Sequence, residues 1–246
     1  MRLDQALVER GLAPSRARAQ ALIKAGHVSV DGVTSRKASS QIDHDTEVSV
    51  APEAHDYVSR AALKLVHGLE YFDVDPRGCI AVDLGSSTGG FTEVLLRRDA
   101  KRVYAIDVGR DQLHPSLKDH PRVSSHEGTH ARDVDRSILI EAPTLIVCDV
   151  SFISIMKALP PIMACTAERA ELVTLVKPQF ELGRDAIGKK GRVLTPIDEQ
   201  RAFIDAKVIP FLAERGWATR GVATSPILGG EGTTEFLLHA VKSPSG

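Results

Sequence analysis

From about residue 59 onward, short apolar runs alternate with longer segments whose apolar residues recur every three or four positions. The first pattern is typical of buried strands, and the second is typical of helices that pack on a sheet. Strands are predicted at residues 80–84, 103–107, 122–125, 144–149 and 171–176. Helices are predicted at residues 59–72, 90–98, 111–118, 133–139, 154–164 and 198–214. This alternation favours a parallel sheet with helices on both faces.

Two further strands are predicted near the end of the chain, at residues 217–224 and 235–241. A turn rich in proline and glycine, Ser225–Gly232, joins them. A hairpin of this kind makes the final strand antiparallel to its neighbour. The predicted fold class is therefore α/β, with a mostly parallel, doubly wound sheet of seven strands.

The first 50 residues follow a different pattern, with two short amphipathic helices before brief extended runs. Ser15 is a good N-cap for the second helix, and Gly26 is a typical helix stop. Asp31–Gly32 lies between extended runs and predicts a hairpin. The polar stretch that follows contains a proline and is typical of a linker. The predicted division is a small α+β domain, a linker and an α/β domain, at residues 1–50, 51–58 and 59–246.

Charge is divided unevenly between these parts. The chain of 246 residues has a formal net charge of −1, but residues 1–37 carry seven basic and three acidic side chains. That segment is therefore +4 and the remainder is −5. A small basic segment joined to an acidic remainder is typical of a protein that binds nucleic acid through that segment. Arg16, Arg18 and Lys24 on the second helix are candidates for an RNA-facing stripe, and the alternative is an ordinary solvated helix face.

Composition favours a soluble cytoplasmic protein without a bound metal. The three cysteines show no Cys-x-x-Cys spacing, and the nine histidines include no pair with a convincing metal-binding spacing. The longest apolar region, near residues 144–167, is interrupted by Asp149, Lys157 and two prolines, so it is too short to span a bilayer. The amino terminus begins an amphipathic pattern rather than a signal peptide. We therefore expect no membrane association.

The most informative motif is the stretch 81–91, where a buried strand runs into a glycine-rich turn and then a helix. The form Asp-x-Gly-x-x-x-Gly, from Asp83 to Gly89, differs from the dinucleotide fingerprint and from the phosphate-binding P-loop. Asp107 ends the next strand, where doubly wound sheets place an acid against ribose hydroxyls. S-adenosylmethionine, a nucleoside cofactor without a pyrophosphate, is the leading candidate. The alternative is an ordinary strand–turn–helix connection.

Charged residues also lie at the ends of the later strands. Asp149 and Lys177 each end a predicted strand, and Glu235 begins the antiparallel last one. Ligands of open parallel sheets bind beyond the carboxyl ends of the strands, so these three side chains should converge on the cofactor turn. Solvent exposure is the alternative for each of them. Lys64 lies in mid-helix between apolar neighbours, and this pattern alone indicates a surface residue.

Two parts of the chain resemble known families. The first 50 residues, with Ser15-Arg16-x-Arg18-Ala19 and Gly26-x-Val28-x-Val30-Asp31-Gly32, resemble an S4 RNA-binding domain. The rest resembles the FtsJ-like, Rossmann-type RNA methyltransferases. Together with Tyr57-Val58-Ser59-Arg60-x-x-x-Lys64-Leu65, Cys148–Ser154 and Val176–Glu181, the chain looks like the TlyA (haemolysin A) family. This resemblance implies S-adenosylmethionine-dependent 2′-O-methylation of cytidine in 16S or 23S ribosomal RNA, with ribosomal RNA or ribosomal subunits as the partner.

The resemblance also implies roles for individual residues. The Lys-Asp-Lys-Glu tetrad of FtsJ-like enzymes falls on Lys64, Asp149, Lys177 and Glu235, which makes Lys64 a catalytic candidate. The implied cofactor-binding residues are Asp83, Gly85, Ser86, Thr88, Gly89, Gly90, Phe91, Asp107, Thr129 and His130. The implied RNA-binding residues are Arg2, Arg16, Arg18, Lys24 and Arg60. The chain departs from the family at 232–235, which lacks the frequent Gly-Asn-x-Glu, and at 128–132, which lacks a frequent Asn.

Two alternatives from other functional classes stay open. The family's haemolysin name suggests a membrane-active protein, which leakage of liposomes by cofactor-free protein would reveal. The other alternative is a binding-only ribosome-assembly factor with an inactive methyltransferase fold. Methyl incorporation into unmodified ribosomal RNA distinguishes that factor from an enzyme. The oligomeric state, monomer or dimer, stays open as well.

Overall fold

The computed structural model describes residues 1–13, 15–43, 45–51, 56–183, 186–188, 193–229 and 232–242. The chain forms two compact units, an N-terminal unit (Met1–Asp56) and a C-terminal unit (Tyr57–Gly246). Each unit has its own hydrophobic core. No helix in the described part of the chain is long and apolar enough to cross a membrane.

The N-terminal unit packs two helices against a small antiparallel sheet. Its elements are α1 (Leu3–Glu9), α2 (Arg16–Ala25), β1 (Val28–Val30), β2 (Val33–Ser35) and β3 (Val48–Val50), with the strand order β2-β1-β3. The Ser15 hydroxyl accepts a hydrogen bond from the Arg18 amide at the start of α2. Gly26 ends α2 in the left-handed conformation, at φ +83°, where a side chain would be strained. Both ends of α2 therefore agree with the sequence prediction.

A buried carboxylate ties the helices of this unit together. The Asp4 side chain has no exposed surface and accepts hydrogen bonds from Arg2 Nε (2.9 Å), Gln20 Nε2 (2.8 Å) and Arg16 Nη2 (3.2 Å). The Arg2 guanidinium and the Gln20 amide hold the pKa of Asp4 well below its usual range. The partly exposed arginines cover this carboxylate, so the cluster is a surface clamp rather than a core ion pair.

The C-terminal unit alternates strands and helices. Its strands are β4 (Ile80–Leu84), β5 (Arg102–Asp107), β6 (Val123–Glu127), β7 (Leu145–Cys148), β8 (Ala170–Val176), β9 (Trp217–Thr224) and β10 (Phe236–Lys242). Its helices are α3 (Ala62–Tyr71), α4 (Gly90–Arg97), α5 (Pro115–Lys118), α6 (Ile155–Ala164), α7 (Pro178–Glu181), α8 (Ile197–Phe203) and α9 (Ile209–Ala213). A π-helical turn, Ile204–Val208, joins the last two.

The strands form one seven-stranded sheet in the order β6-β5-β4-β7-β8-β10-β9. The strands from β4 to β8 are parallel, and β10 runs antiparallel to both of its neighbours. This confirms the predicted mostly parallel sheet and its reversed last strand. The chain leaves β4 towards β5 on one side and returns to β7 on the other. The carboxyl end of β4 is therefore the switch point at which such sheets bind ligands.

Two helix predictions were wrong in detail. At 133–139 the structure has a 3₁₀ turn, Ala131–Asp133, followed by irregular chain. The Asp135 carboxylate accepts hydrogen bonds from the Ser137 amide (2.8 Å) and hydroxyl (2.5 Å), and such local bonds compete with a helix. The helix predicted at 111–118 is only the four residues of α5, because the His114 amide donates to the Thr88 carbonyl instead of continuing a helical turn from residue 111.

The close packing of α3 on the sheet decides where its polar residues go. A Cβ at Gly68 would lie 3.2 Å from Val173 in β8 and 3.3 Å from Leu237 in β10, which is tighter than ordinary packing. Glycine at this position therefore lets α3 approach both strands. Lys64 lies one turn earlier and shares the sheet-facing side of the helix. It is 8% exposed, so the surface position that its sequence neighbours indicated was wrong.

We predict that Asp4→Asn destabilises the N-terminal unit at neutral pH. The native pKa of Asp4 is lowered, so its stabilising effect is present above the pKa of the unfolded chain and fades as the pH falls below about 4. Thermal unfolding of wild type and variant at pH 7 and pH 3 measures this effect. A lower unfolding temperature for the variant at pH 7, with a smaller difference at pH 3, is the expected result. An equal difference at both values would contradict the ionic clamp.

Candidate active site

The glycine turn after β4 lies directly against the chain that follows β7. Gly85 has φ +84°, and a Cβ there would come 2.8 Å from the carbonyl oxygen of Asp149. Only glycine fits this contact, because the atom it would strike belongs to the backbone. The amides of Gly85 and Ser86 donate to the Ile106 carbonyl, at 2.8 and 3.2 Å, and fix the turn to β5. The turn and the two neighbouring strand ends thus form one rigid edge.

Two cavities open at this edge. The larger, about 500 Å³, lies between the ends of β4 and β5 and the segment after β7. The predicted residues Gly85, Asp107, Thr129 and His130 line it. The smaller, about 170 Å³, shares Gly85 and Asp149 with the larger one. It is also lined by the predicted residues Ser86, Thr88, Gly90, Phe91 and Lys177.

Asp107 is fixed by backbone donors on both carboxylate oxygens. Its Oδ1 accepts from the Gly109 amide at 2.7 Å, and its Oδ2 accepts from the Ser87 amide at 2.8 Å. A carboxylate oxygen has room for more than one donor. Because Asp107 lines the larger cavity, its remaining acceptor capacity can serve a hydroxyl group placed there. Ser87 has φ +46°, a strained value for a residue other than glycine, at this contact.

Asp83 lies behind the cavities rather than in their walls. Its side chain has no exposed surface, and Oδ2 accepts a 2.6 Å hydrogen bond from the Thr92 hydroxyl. Its Oδ1 has no hydrogen-bond partner within the described residues. Burial raises the pKa of Asp83 to about 7, and the nearby charge of Asp149 adds to the shift. Gly89, also predicted as a cofactor residue, does not line either cavity and instead starts α4, at φ +96°.

The four tetrad residues form two ion pairs. Lys64 Nζ is 2.5 Å from Glu235 Oε2, and Lys177 Nζ is 2.6 Å from Asp149 Oδ1. The pairing of Val176 with Phe236 between β8 and β10 places Lys177 beside Glu235, which directly precedes β10. The structure thus brings all four residues to the same edge of the sheet.

Burial makes these pairs electrostatically important. The side chains of Lys64 and Lys177 are each 10% exposed, and that of Glu235 is 2% exposed. A buried charge without a partner is costly, so each lysine needs its carboxylate. The Glu235 carboxylate also lies against the backbone of Gly229, where any larger residue would displace it.

Several residues of the site were not found by sequence reasoning. Ser151 lines both cavities, and its hydroxyl accepts a 2.8 Å hydrogen bond from Lys177 Nζ. Gln112 lines the larger cavity and accepts from the Ser87 hydroxyl. Glu181 accepts hydrogen bonds from Ser154 and Ile155. Ser151 and Glu181 both lie inside the motifs already quoted, so their signal was present, but a polar residue in a motif does not reveal its partner.

The predicted RNA-binding residues have different surroundings. Arg2 and Arg16 both bind the Asp4 carboxylate, which neutralises part of their charge. The Lys24 side chain is exposed, and the Arg18 amide donates to the Ser15 hydroxyl that caps α2. Arg60 is exposed in the C-terminal unit, next to Ser59 of the smaller cavity.

Comparison with known proteins shows that family models match both units of this chain. A family model of FtsJ-like methyltransferases matches residues 57–242, and a model of the S4 domain matches residues 1–48. The chain belongs to the FtsJ-like methyltransferase family. An S4 domain ahead of the FtsJ-like unit groups it with the TlyA (haemolysin A) proteins, as the sequence resemblance implied.

Two relatives and one solved structure match this chain over almost its whole length. It is 42% identical to the 16S/23S rRNA (cytidine-2'-O)-methyltransferase TlyA of Mycobacterium tuberculosis (strain ATCC 25618 / H37Rv), over 96% of this chain and 88% of that protein. It is 38% identical to Hemolysin A of Brachyspira hyodysenteriae, over 98% of this chain and 100% of that protein. A solved structure from Streptococcus thermophilus, described as a hemolysin, is 37% identical with a TM-score of 0.76, over 100% of this chain and 89% of that one.

We predict that Asp83→Asn stabilises the FtsJ-like unit relative to wild type, and that this gain in stability increases as the pH rises. The folded pKa is raised to about 7, so below pH 4 folding has no ionisation cost, and the cost grows until the pH passes 7. The full shift corresponds to about 4 kcal/mol. Thermal unfolding at pH 5 and pH 8 without cofactor should give the larger gain at pH 8. An equal gain at both values would rule out a protonated Asp83.

Proposed function

We propose that this protein is an S-adenosylmethionine-dependent methyltransferase that modifies the 2′-hydroxyl of cytidine in ribosomal RNA. The observation that carries the proposal is the Lys177–Asp149 pair in the wall of the cavity at the glycine turn, with the Lys64–Glu235 pair on the neighbouring strand end of the same sheet edge. The named activity of the Mycobacterium tuberculosis relative supports the substrate class. The S4 domain, whose residues 1–37 carry seven basic and three acidic side chains, supports an RNA partner.

The residues at the sheet edge fit this cofactor. Gly85 and Gly90 leave bare backbone at the cavities, so a flat nucleoside can lie close to the chain. Asp107 has fixed carboxylate oxygens for ribose hydroxyls. The cofactor carries positive charge at its methionine end. The carboxylate of Asp149, which lines both cavities, supplies negative charge on that side of the turn, and Asp83 lies buried behind it.

When bound, S-adenosylmethionine supplies a methyl group that is already activated by its sulfonium. The protein then has to orient a ribose hydroxyl and remove its proton. Lys177 would accept that proton in its neutral amine form, because only the neutral amine has a lone pair for it. Asp149 and Ser151 would hold its amine in place, because both contact Nζ. Lys64 would stabilise the developing oxyanion while Glu235 fixes its position.

With the cofactor bound, its methyl group would pass from the sulfonium sulfur to the ribose oxygen, and the hydroxyl proton would pass to Lys177. The methyl acceptor needs no covalent attachment to the protein. The roles assigned to the four tetrad residues account for the burial of two positive and two negative groups at one place. They also account for the position of Asp149 and Lys177 in the cavity walls.

We predict that Lys177→Ala abolishes methyl transfer but retains cofactor binding. Loss of a positioned base costs about 100-fold to 10,000-fold in rate, whereas the cavity lined by Asp107 is left intact. Methyl incorporation into unmodified ribosomal RNA and calorimetric binding of S-adenosylhomocysteine measure the two properties. Lys101→Ala is the matched control, because this lysine also pairs with a carboxylate, Glu141, before β5 at the opposite edge of the sheet. Near-normal turnover of Lys177→Ala would contradict the assignment of Lys177 as the base.

We predict that exposed lysines of the S4 domain contribute to affinity by binding RNA phosphates. Lys24 and Lys37 are both exposed, and removing one lysine that binds a phosphate should lower the salt dependence of binding by about one. The Lys24→Ala, Lys37→Ala double variant should therefore bind ribosomal RNA more weakly and with a flatter salt slope. Lys207→Ala removes an exposed lysine from the FtsJ-like unit and serves as the control. An unchanged slope in the double variant counts against this role.

A further inference from the structure

The segment that joins β7 to α6, residues 149–154, carries proposed catalytic chemistry on irregular backbone. Asp149 and Ser151 both contact Lys177 from this segment. Phe152 has φ +67° and its side chain is 92% exposed, so the middle of the segment gains little from packing. The segment also walls both cavities. Something outside the segment therefore has to set its position.

Glu181 contacts the far end of the same segment. Its Oε2 accepts a 2.6 Å hydrogen bond from the Ser154 hydroxyl, and its Oε1 accepts a 2.8 Å hydrogen bond from the Ile155 amide. The Ile155 amide is the first of α6 and has no partner within that helix. A carboxylate is also favoured there by the helix dipole. The contact is thus both a cap of α6 and a link to α7.

Lys177 and Glu181 stand at the two ends of α7 and hold opposite ends of the segment. Lys177 directly precedes the helix and contacts Asp149 and Ser151, while Glu181 is its last residue and contacts Ser154. The four-residue helix is short and rigid, so it fixes the separation of the two contacts. A ring contact between Phe180 and Phe152, 5.4 Å between centroids, lies between them.

We propose that Glu181 is a positioning residue for methyl transfer, which rests on the function proposed above. It braces residues 149–154 against α7, and so keeps Asp149 and Ser151 on the Lys177 amine. The brace depends on the length of the Glu181 side chain rather than on its charge, because each carboxylate oxygen accepts from a separate hydrogen-bond donor. A protonated carboxyl, or an amide, still accepts from Ile155 and can donate to the Ser154 oxygen. Burial raises the pKa of Glu181, and the brace tolerates the added proton.

The test compares three variants of the full chain: Glu181→Ala, Glu181→Asp and Glu181→Gln. Alanine removes both contacts, and aspartate keeps the charge but is one methylene too short to reach both donors. Glutamine keeps the reach without the charge. Single-turnover methyl transfer should fall about 10-fold to 100-fold in the alanine and aspartate variants, the scale expected for misplaced catalytic groups. The glutamine variant should keep its rate within about threefold of wild type, because it retains both contacts and only the strength of each hydrogen bond changes.

Hydrogen exchange gives a readout that is independent of activity. Amides of residues 149–157 should exchange faster in the alanine and aspartate variants than in wild type or the glutamine variant. Glu141→Ala, which removes ion pairs to Lys101 and Arg102 at the opposite edge of the sheet, should change neither the rate nor this exchange. If the Glu181→Ala variant does not fold, comparing Glu181→Asp with Glu181→Gln still tests the positioning role.

Each outcome bears on one of the two proposals. An inactive wild type would overturn the proposed function, while the exchange pattern would still test the brace. A wild-type rate and exchange in the aspartate variant would overturn the positioning role. A Glu181→Gln variant as slow as Glu181→Ala would also overturn the positioning role, because the loss of rate would then come from the loss of charge.

Discussion

Four charged side chains are brought to the carboxyl edge of the sheet, and they can stay there only as two lysine–carboxylate pairs. Removing such groups from water costs several kcal/mol each unless partners compensate. The pair of Lys64 with Glu235 and the pair of Lys177 with Asp149 supply that compensation. The reversed direction of β10 is what makes the first pair possible. A parallel last strand would carry the residue before it to the opposite edge.

The contact between Gly85 and the backbone of Asp149 links the two halves of the proposed site. On one side the glycine turn lines the cavity that we assign to the methyl donor. On the other, the Asp149 segment contacts the lysine that we assign to the acceptor. Because the two backbones touch, a displacement of one moves the other. The geometry between donor and acceptor is therefore set by main-chain packing, which is stiffer than a contact between long side chains.

Sequence patterns predicted the sheet and most of its edge because topology alone decides where strand ends meet. Asp149 and Lys177 were found in this way. Lys64 was not, since its burial depends on Gly68 and on how closely α3 approaches β8 and β10. The helix expected at 133–139 failed because Asp135 hydrogen-bonds locally, a choice that periodicity does not report. In these cases the missing information was the identity of a spatial partner.

Charge counting had the same weakness in the N-terminal unit. A tally of basic residues treats Arg2 and Arg16 as available to RNA, but the structure places both on the Asp4 carboxylate. Part of the positive charge of this unit therefore stabilises its own fold. Lys24, which is exposed, fits the expected RNA-facing role better. Which basic residues are available is decided by the acidic side chain among them.

Lys64 and Glu235 are separated by 171 positions in the chain, yet they form one ion pair. The proposed catalytic set is therefore incomplete until residue 235 has been synthesised. A growing chain that already displays its S4 domain and its glycine turn still lacks the carboxylate that holds Lys64. Chains that end early would leave that lysine without its partner, at an edge where an unpaired charge is costly. The proposed active site is thus completed only when the residue before β10 reaches the sheet edge, after the other three tetrad residues have been synthesised.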